Sequence, residues 1–345
     1  MSVVPKVPIE QWAALIDAAE DFQDLAPWEW MTGNEIFAVM NNERPQAGYC
    51  CVMGNLGEVF GLVVYMGSEG LALIEEMFAD EAPPNPMDIL LKTNCLKLEF
   101  VGAQNLEKED KAVFKKLGLK YKGAHAWPLF RSHRPGDAPW CLEDWEVRFL
   151  TTCLQQTMEM ASRLKKNPDL LVPSDDSQFF FRLPEPNSNP VEWSDKWLVP
   201  EPAQKKELPK LILDEIQFAA AKAKVKHIDL VWEMDLLVLP MPIDDRDRPY
   251  FMRTFMVADQ KSRYMLAAEP MDPFEYPSLL LSRIVKIIAI TRIMPKTIHF
   301  CSADLRSLLT EPLQKMGIEA RFVNELPVIN EAFAGMMDFL GKPDR

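Results

Sequence analysis

Residues 228–239 read IDLVWEMDLLVL, a nearly continuous apolar run that only three acidic residues interrupt. A run of this length, rich in branched and aromatic side chains, is typical of a long buried strand. Two shorter apolar runs follow at 251–258 and 264–269, and the polar residues 261–263 (KSR) separate them as a turn. The stretch therefore predicts three successive strands, the first of them the longest.

Helices and strands alternate after these three strands. Residues 277–293 have the length and apolar spacing of a buried helix, and an alanine-rich helix is predicted before the first strand at 213–224. The remaining predicted elements, in order, are a strand at 297–301, a helix at 304–316, a strand at 318–323 and a helix at 331–340. The C-terminal part thus has the order β-β-β-α-β-α-β-α, which predicts an α/β domain.

This order resembles the ribonuclease-H-like fold, and four short segments resemble an integrase- or transposase-type core. They are WEMD at 232–235 on the first strand, VADQKSR at 257–263, PKTIHF at 295–300 and GIE at 317–319. The resemblance covers roughly residues 225–340, about a third of the chain. It implies a ribonuclease-H-like C-terminal domain.

Enzymes of this kind hold two divalent metal ions with carboxylates from the first strand, the end of the fourth strand and the last helix. By resemblance, Asp235 fits the first position and Glu331 could fill the third. The second position falls on Cys301 or Ser302, and Asp304 comes only later. A thiol does not replace a carboxylate for magnesium, because hard cations require oxygen ligands. The fold is therefore expected to be retained while the metal chemistry is lost.

Each candidate carboxylate also has a structural interpretation. Asp235 could be a polar residue on the exposed side of a half-buried strand. Asp304 could cap the helix that follows the fourth strand, with Ser302 as the other candidate for that cap. Glu331 could be a first-turn residue favoured by the helix dipole. The histidines are scattered, so no metal or cofactor is predicted outside the nuclease alternative.

The N-terminal part predicts an α+β domain with a mainly antiparallel sheet. Its expected helices lie at 8–25, 71–78, 108–117 and 142–166, and its expected strands at 35–40, 49–53, 59–66, 96–101 and 127–132. The phrases EIFAV at 35–39, GYCCVMG at 48–54 and GLVVYMG at 61–67 resemble an uncharacterised bacterial family, in which such a domain precedes a second domain of unknown function. The resemblance implies a bacterial source and supplies no catalytic residue.

Three segments are expected along the 345 residues. Residues 1–167 form the N-terminal domain, and residues 210–345 form the C-terminal domain. Residues 168–209 contain eight prolines together with aromatic pairs, which predicts a proline-punctuated hairpin that also connects the two domains.

The net charge and the cysteines of the chain indicate which binding partners and which cellular compartment are expected. The net charge is −13, and residues 1–170 alone carry 25 acidic against 16 basic side chains, so nucleic acid is an improbable partner of the N-terminal domain. Six cysteines without a CxxC motif are typical of free thiols in a reducing cytoplasm. No signal peptide is recognised, and charged residues interrupt the apolar stretch 279–293, which predicts a buried helix and no membrane contact.

Three functional hypotheses remain open. The favoured one is a non-catalytic binding or regulatory protein with a protein partner and no cofactor. The first alternative is a nuclease or strand-transfer enzyme dependent on Mg²⁺ or Mn²⁺, which would use Asp235, Glu331 and either Asp304 or Asp259. The second alternative is a small-molecule-binding protein, which requires a deep apolar pocket.

Overall fold

A computed structural model describes residues 4–79, 86–175, 177–185, 188, 190–203 and 208–340. The chain divides into two compact units. The first unit comprises Met1–Gln204 together with Asp244–Tyr250, and the second comprises Lys205–Ile243 and Phe251–Arg345. Both units are mixed α/β structures, each built around one sheet.

The first unit contains a seven-stranded sheet in the order β5-β4-β3-β2-β1-β6-β7. The strands are β1 (Phe37–Met40), β2 (Ala47–Met53), β3 (Gly61–Met66), β4 (Cys95–Val101), β5 (Trp127–His133), β6 (Phe179–Pro184) and β7 (Trp193–Leu198). Every neighbouring pair is antiparallel except β1 and β6, which run parallel. The antiparallel character predicted for this part of the chain is confirmed.

Helices cover both faces of this sheet. They are α1 (Ile9–Leu25), α2 (Gly67–Phe78), α3 (Pro86–Lys92), α4 (Lys108–Leu117) and α5 (Asp144–Leu164). The buried residues of α1 and α5 share one large core with the sheet, whereas Leu71 and Ile74 of α2 pack on the opposite face. At Gly48 an added Cβ would lie 2.4 Å from Val64 and 2.9 Å from Phe149, so only glycine allows α5 to pack this closely on β2.

Strands β6 and β7 form the antiparallel hairpin that the proline-rich segment predicts. Its position differs from the expected connector, because β6 pairs with β1 at Ala38–Phe181 and Val39–Arg182. Residues 179–198 therefore extend the sheet of the first unit. Backbone pairing across some 140 residues of sequence leaves no signal in the local sequence, which explains the difference.

The second unit contains a five-stranded sheet in the order β10-β9-β8-β11-β12. Its elements are α6 (Glu215–Lys222), β8 (His227–Ile243), β9 (Tyr250–Asp259), β10 (Met265–Met271), α7 (Tyr276–Thr291), β11 (Ile293–Phe300), α8 (Ala303–Met316), β12 (Glu319–Phe322) and α9 (Pro327–Leu340). The succession of three strands and then alternating helices and strands agrees with the predicted order. Strand β11 runs parallel to both β8 and β12.

Alternation along β8 separates the two faces of the second sheet. Trp232 and Met234 are fully buried in the core that α6, α7 and α8 cover. Leu237 faces the other side, where it joins a smaller cluster that contains Val328 and Ile329 of α9. Because successive side chains of a strand point to opposite faces, Glu233 and Asp235 face the α9 side together with Leu237. The apolar stretch 279–293 contributes most of α7, and no helix among the described residues is long and apolar enough to cross a membrane.

Candidate functional site

The candidate site lies where β8, the end of β11 and the start of α9 meet, which is the region that the resemblance assigns to metal ligands. Glu233 lies on β8 and is fully buried. Its partner in the parallel register with β11 is His299, and Cys301 directly follows that strand. Burial and Arg321 lower the pKa of His299, and they outweigh the opposing effect of Glu233. His299 is therefore neutral at pH 7 and does not compensate the carboxylate.

Glu233 caps helix α9. One carboxylate oxygen, Oε2, accepts hydrogen bonds from the backbone N–H groups of Val328 at 2.9 Å and Ile329 at 3.1 Å. The helix begins at Pro327, and the preceding Leu326 has no side-chain acceptor for these donors. The carboxylate also lies at the positive end of the helix dipole. Its second oxygen, Oε1, is buried and has no hydrogen-bond partner among the described residues.

Cys301 lies close to Glu233 and Asp235, and its thiol stays protonated. Burial raises the pKa of its thiol to about 11, and the negative charges of Asp235, Glu233 and Glu325 add to the effect. Asp235 itself is half-buried, and its Oδ1 accepts a hydrogen bond from the backbone N–H of Leu236 at 2.8 Å. A protonated thiol beside carboxylates offers no ligand to a hard divalent cation.

Two of the other predicted carboxylates, Glu331 and Asp259, have structural partners, and Asp304 lies beside a helix cap that Ser302 provides. The helix cap of α8 is Ser302, whose hydroxyl accepts a hydrogen bond from the N–H of Leu305, and Asp304 lies in the first turn of that helix. Glu331 lies one turn into α9 and forms an exposed ion pair with Arg263. The Oδ1 atom of Asp259 accepts hydrogen bonds from the backbone N–H and the hydroxyl of Ser262.

These carboxylates do not form one metal site in the described part of the chain. Among those residues, no group of three or more histidine, cysteine, aspartate or glutamate side chains is placed to hold a metal ion. The structure brings Asp235 and Glu233 close enough to Cys301 to act on its thiol, and Glu233 also binds the start of α9. It pairs Glu331 with Arg263 and places Asp304 in the first turn of α8.

Sequence reasoning overlooked Glu233 although the signal was present. The residue stands between Trp232 and Met234, two large apolar side chains in the middle of a strand that both its flanks predict to be buried. A charged residue at such a place must find a partner or line a site, because burying an unpaired charge is costly. The partner lies 95 residues further along the chain at Val328, and no local pattern indicates it.

The raised pKa of the Cys301 thiol leads to a prediction about its reactivity. Iodoacetamide should alkylate Cys301 about 100-fold more slowly than a thiol with a pKa of 9.0 at pH 7.5, because only the thiolate reacts. The rate should rise about tenfold with each pH unit towards the thiol pKa of about 11. Peptide mass spectrometry at several pH values measures this rate. The Asp235→Asn variant should react faster because a negative charge near the thiolate is removed, and an unchanged rate in that variant would contradict the proposed influence of Asp235.

Two family models match the chain, one in its N-terminal part and one in its C-terminal part. Residues 12–182 match a family model described as a domain of unknown function, DUF7309. Residues 217–337 match a second model, also described as a domain of unknown function, DUF6930. No curated protein and no solved structure matches the chain. The DUF6930 match spans every element from β8 to the candidate site at α9.

Proposed function

The chain joins two domains of unknown function, and we propose that it is a non-catalytic binding or regulatory protein whose second unit is a degenerate ribonuclease-H-like domain. The element order β-β-β-α-β-α-β-α of that unit supports the fold assignment. Among the described residues no group of carboxylate, cysteine and histidine side chains is placed to hold a metal ion, which supports the functional assignment. The proposed partner is a protein, since the excess of acidic residues in 1–170 disfavours binding of the N-terminal domain to the phosphates of nucleic acid.

One observation carries the proposal. The carboxylate that β8 directs towards α9, Glu233, holds the N-terminus of that helix through two backbone hydrogen bonds. A two-metal site needs carboxylates with free oxygens converging from β8, the end of β11 and α9. At the end of β11 the chain offers the protonated thiol of Cys301, and Glu331 of α9 pairs with Arg263. Of the three positions that the resemblance assigns to metal ligands, the end of β11 therefore has a protonated thiol and the last helix has a carboxylate that already forms an ion pair, which leaves Asp235 of β8 without the two further ligands.

We propose that the protein is bacterial and acts in the cytoplasm. The six cysteines are all free thiols, which fits a reducing compartment. No cofactor is part of the proposal.

A manganese titration tests the proposal against the nuclease alternative. We expect isothermal calorimetry to give no saturable heat up to millimolar Mn²⁺, for the wild type and for Asp235→Ala alike, because the part of the chain that the structure describes holds no converging carboxylate set. Supercoiled DNA and a labelled RNA should also remain intact when incubated with the protein and Mn²⁺.

Saturable binding that Asp235→Ala abolishes would overturn the proposal and favour the nuclease. Cleavage that Asp235→Ala or Glu331→Ala abolishes would have the same meaning. Glu311→Ala is the matched control, because Glu311 is an exposed glutamate on α8 that pairs with Lys315 and is not a candidate ligand.

A further inference from the structure

A cavity of about 460 Å³ lies in the first unit, between the N-terminal segment, α1, α4 and β5. Its interior is apolar, and Ile16, Phe114 and Phe130 are almost completely buried at its base. Trp12 and Val113 form the sides. Protein interiors contain few voids larger than a water molecule, whereas small-molecule sites have volumes of about 300–1,000 Å³. The volume and the apolar lining are therefore those of a ligand site.

The segment before α1 forms one wall of this cavity. Val4 and Val7 turn towards it, and the first residue of α1, Ile9, continues the same wall. Helix α4 contributes seven lining residues between Lys108 and Lys116. These seven residues fall within nine consecutive positions, which span about 12 Å along a helix, so the cavity extends along α4 over about this length. An elongated apolar cavity fits a chain-like molecule better than a compact one.

The charges around the cavity are mostly positive although the protein is acidic. Lys6, Lys108 and Lys116 line it, and none of them forms an ion pair with a residue in the described part of the chain. Asp110 also lines the cavity, but its two oxygens accept hydrogen bonds from Arg131 at 2.8 and 2.7 Å. Glu109 is then the only lining carboxylate without a described cationic partner. Three lysines against one such carboxylate favour an anionic group, in a protein whose net charge is −13.

We propose that this cavity binds a single-chain amphiphile of the fatty-acid class. The alkyl chain lies between Trp12, Val113 and Phe130, where burial of apolar surface supplies the affinity. The carboxylate lies among the lysines, which select an anionic over a neutral or cationic headgroup. The site belongs wholly to the first unit and does not depend on the function proposed for the second.

Calorimetric titration of the full-length protein with sodium dodecanoate, below its micellar concentration, tests the proposal. We expect saturable binding of one molecule per chain. Dodecyltrimethylammonium has the same chain with a cationic headgroup, and it should bind at least about tenfold more weakly. If dodecanoate showed no saturable binding at any concentration below the micellar limit, the proposal would be overturned. Equal affinity for the two amphiphiles would mean unspecific apolar binding and would overturn the anionic selectivity.

Two pairs of variants locate the site. Lys116→Glu should weaken dodecanoate binding at least about fivefold, whereas Lys115→Glu, the same change on an exposed neighbour that does not line the cavity, should have less than about a twofold effect. Ala112→Trp places an indole in the cavity from an exposed position and should abolish binding, whereas Lys111→Trp should not. Thermal unfolding followed by circular dichroism checks that each variant is folded. Equal effects within either pair would show that dodecanoate binds elsewhere.

Discussion

Replacing Glu233 with alanine is expected to destabilise the second unit by about 3–5 kcal/mol. The change leaves the backbone N–H groups of Val328 and Ile329 without an acceptor in a buried environment, at about 1–3 kcal/mol each. It also leaves a void where a fully buried side chain stood. Urea unfolding measures the change in the free energy of unfolding. Hydrogen exchange at the Val328 and Ile329 amides, which should lose protection first, locates it.

Two further variants separate capping from burial of charge. Glu233→Gln keeps a carbonyl oxygen for the two N–H groups and removes a buried charge, so it should cost much less than alanine. Asp235→Ala, on the same face two residues further along β8, should cost less than Glu233→Ala, since Asp235 is only half-buried whereas Glu233 is fully buried. If Glu233→Ala and Asp235→Ala destabilised the protein equally, the capping role of Glu233 would be refuted.

Replacing Arg182 with methionine is expected to destabilise the first unit by about 3–5 kcal/mol. The guanidinium group of Arg182 is almost completely buried on β6, and it donates hydrogen bonds to Gln156 and Glu159 of α5 and to Asp195 of β7. Removing it leaves the buried Gln156 without its guanidinium donor, and Asp195 and Glu159 each lose one of their two arginine partners. The loss should appear in urea unfolding and as faster hydrogen exchange along β6 and β7.

Arg163 supplies the matched control. It contacts the same two carboxylates, Asp195 and Glu159, but about a third of its side chain is exposed. Arg163→Met should therefore cost no more than about 1 kcal/mol. A cost for Arg182→Met as small as that for Arg163→Met would contradict the role given to burial.

The same network predicts a loss of stability in acid. Burial acts to raise the pKa of Asp195, but the hydrogen bonds from Arg163 and Arg182 outweigh it and hold that pKa below its ordinary value. A carboxyl with a lowered pKa in the folded state stabilises the fold above its unfolded pKa, about 3.9, and this contribution is lost as the pH falls below that value. The difference in unfolding free energy between wild type and Asp195→Asn should therefore shrink below about pH 4.

Local sequence patterns were sufficient for most of the helices and strands. The apolar run at 228–239 predicted β8, and the helical spacing at 277–293 predicted α7, because side-chain periodicity depends only on neighbouring residues. Gly317 correctly marked the end of α8, where it takes the left-handed conformation with φ of 79°. The tandem of two domains of unknown function was also visible in short sequence phrases.

The start of α9 shows the limit of such patterns. The sequence predicted a helix from 331, but the helix begins at Pro327. Pro327 at the first helical position is a local signal for this start, but Leu326 before it has no side chain that could accept the hydrogen bonds of the first turn. The cap comes from Glu233, which the folding of β8 against α9 brings into position.

The sequence by itself determined the type and order of most elements and the acidic character of the chain. Only the tertiary structure decided that β6 joins the first sheet, that Glu233 caps α9 and that a cavity opens beside α4. The physical reason is the range of the interactions. Periodicity and helix-ending glycines act over a few residues, whereas strand pairing, the capping of a helix by a distant carboxylate and the shape of a cavity depend on residues that are distant in sequence and meet only on folding.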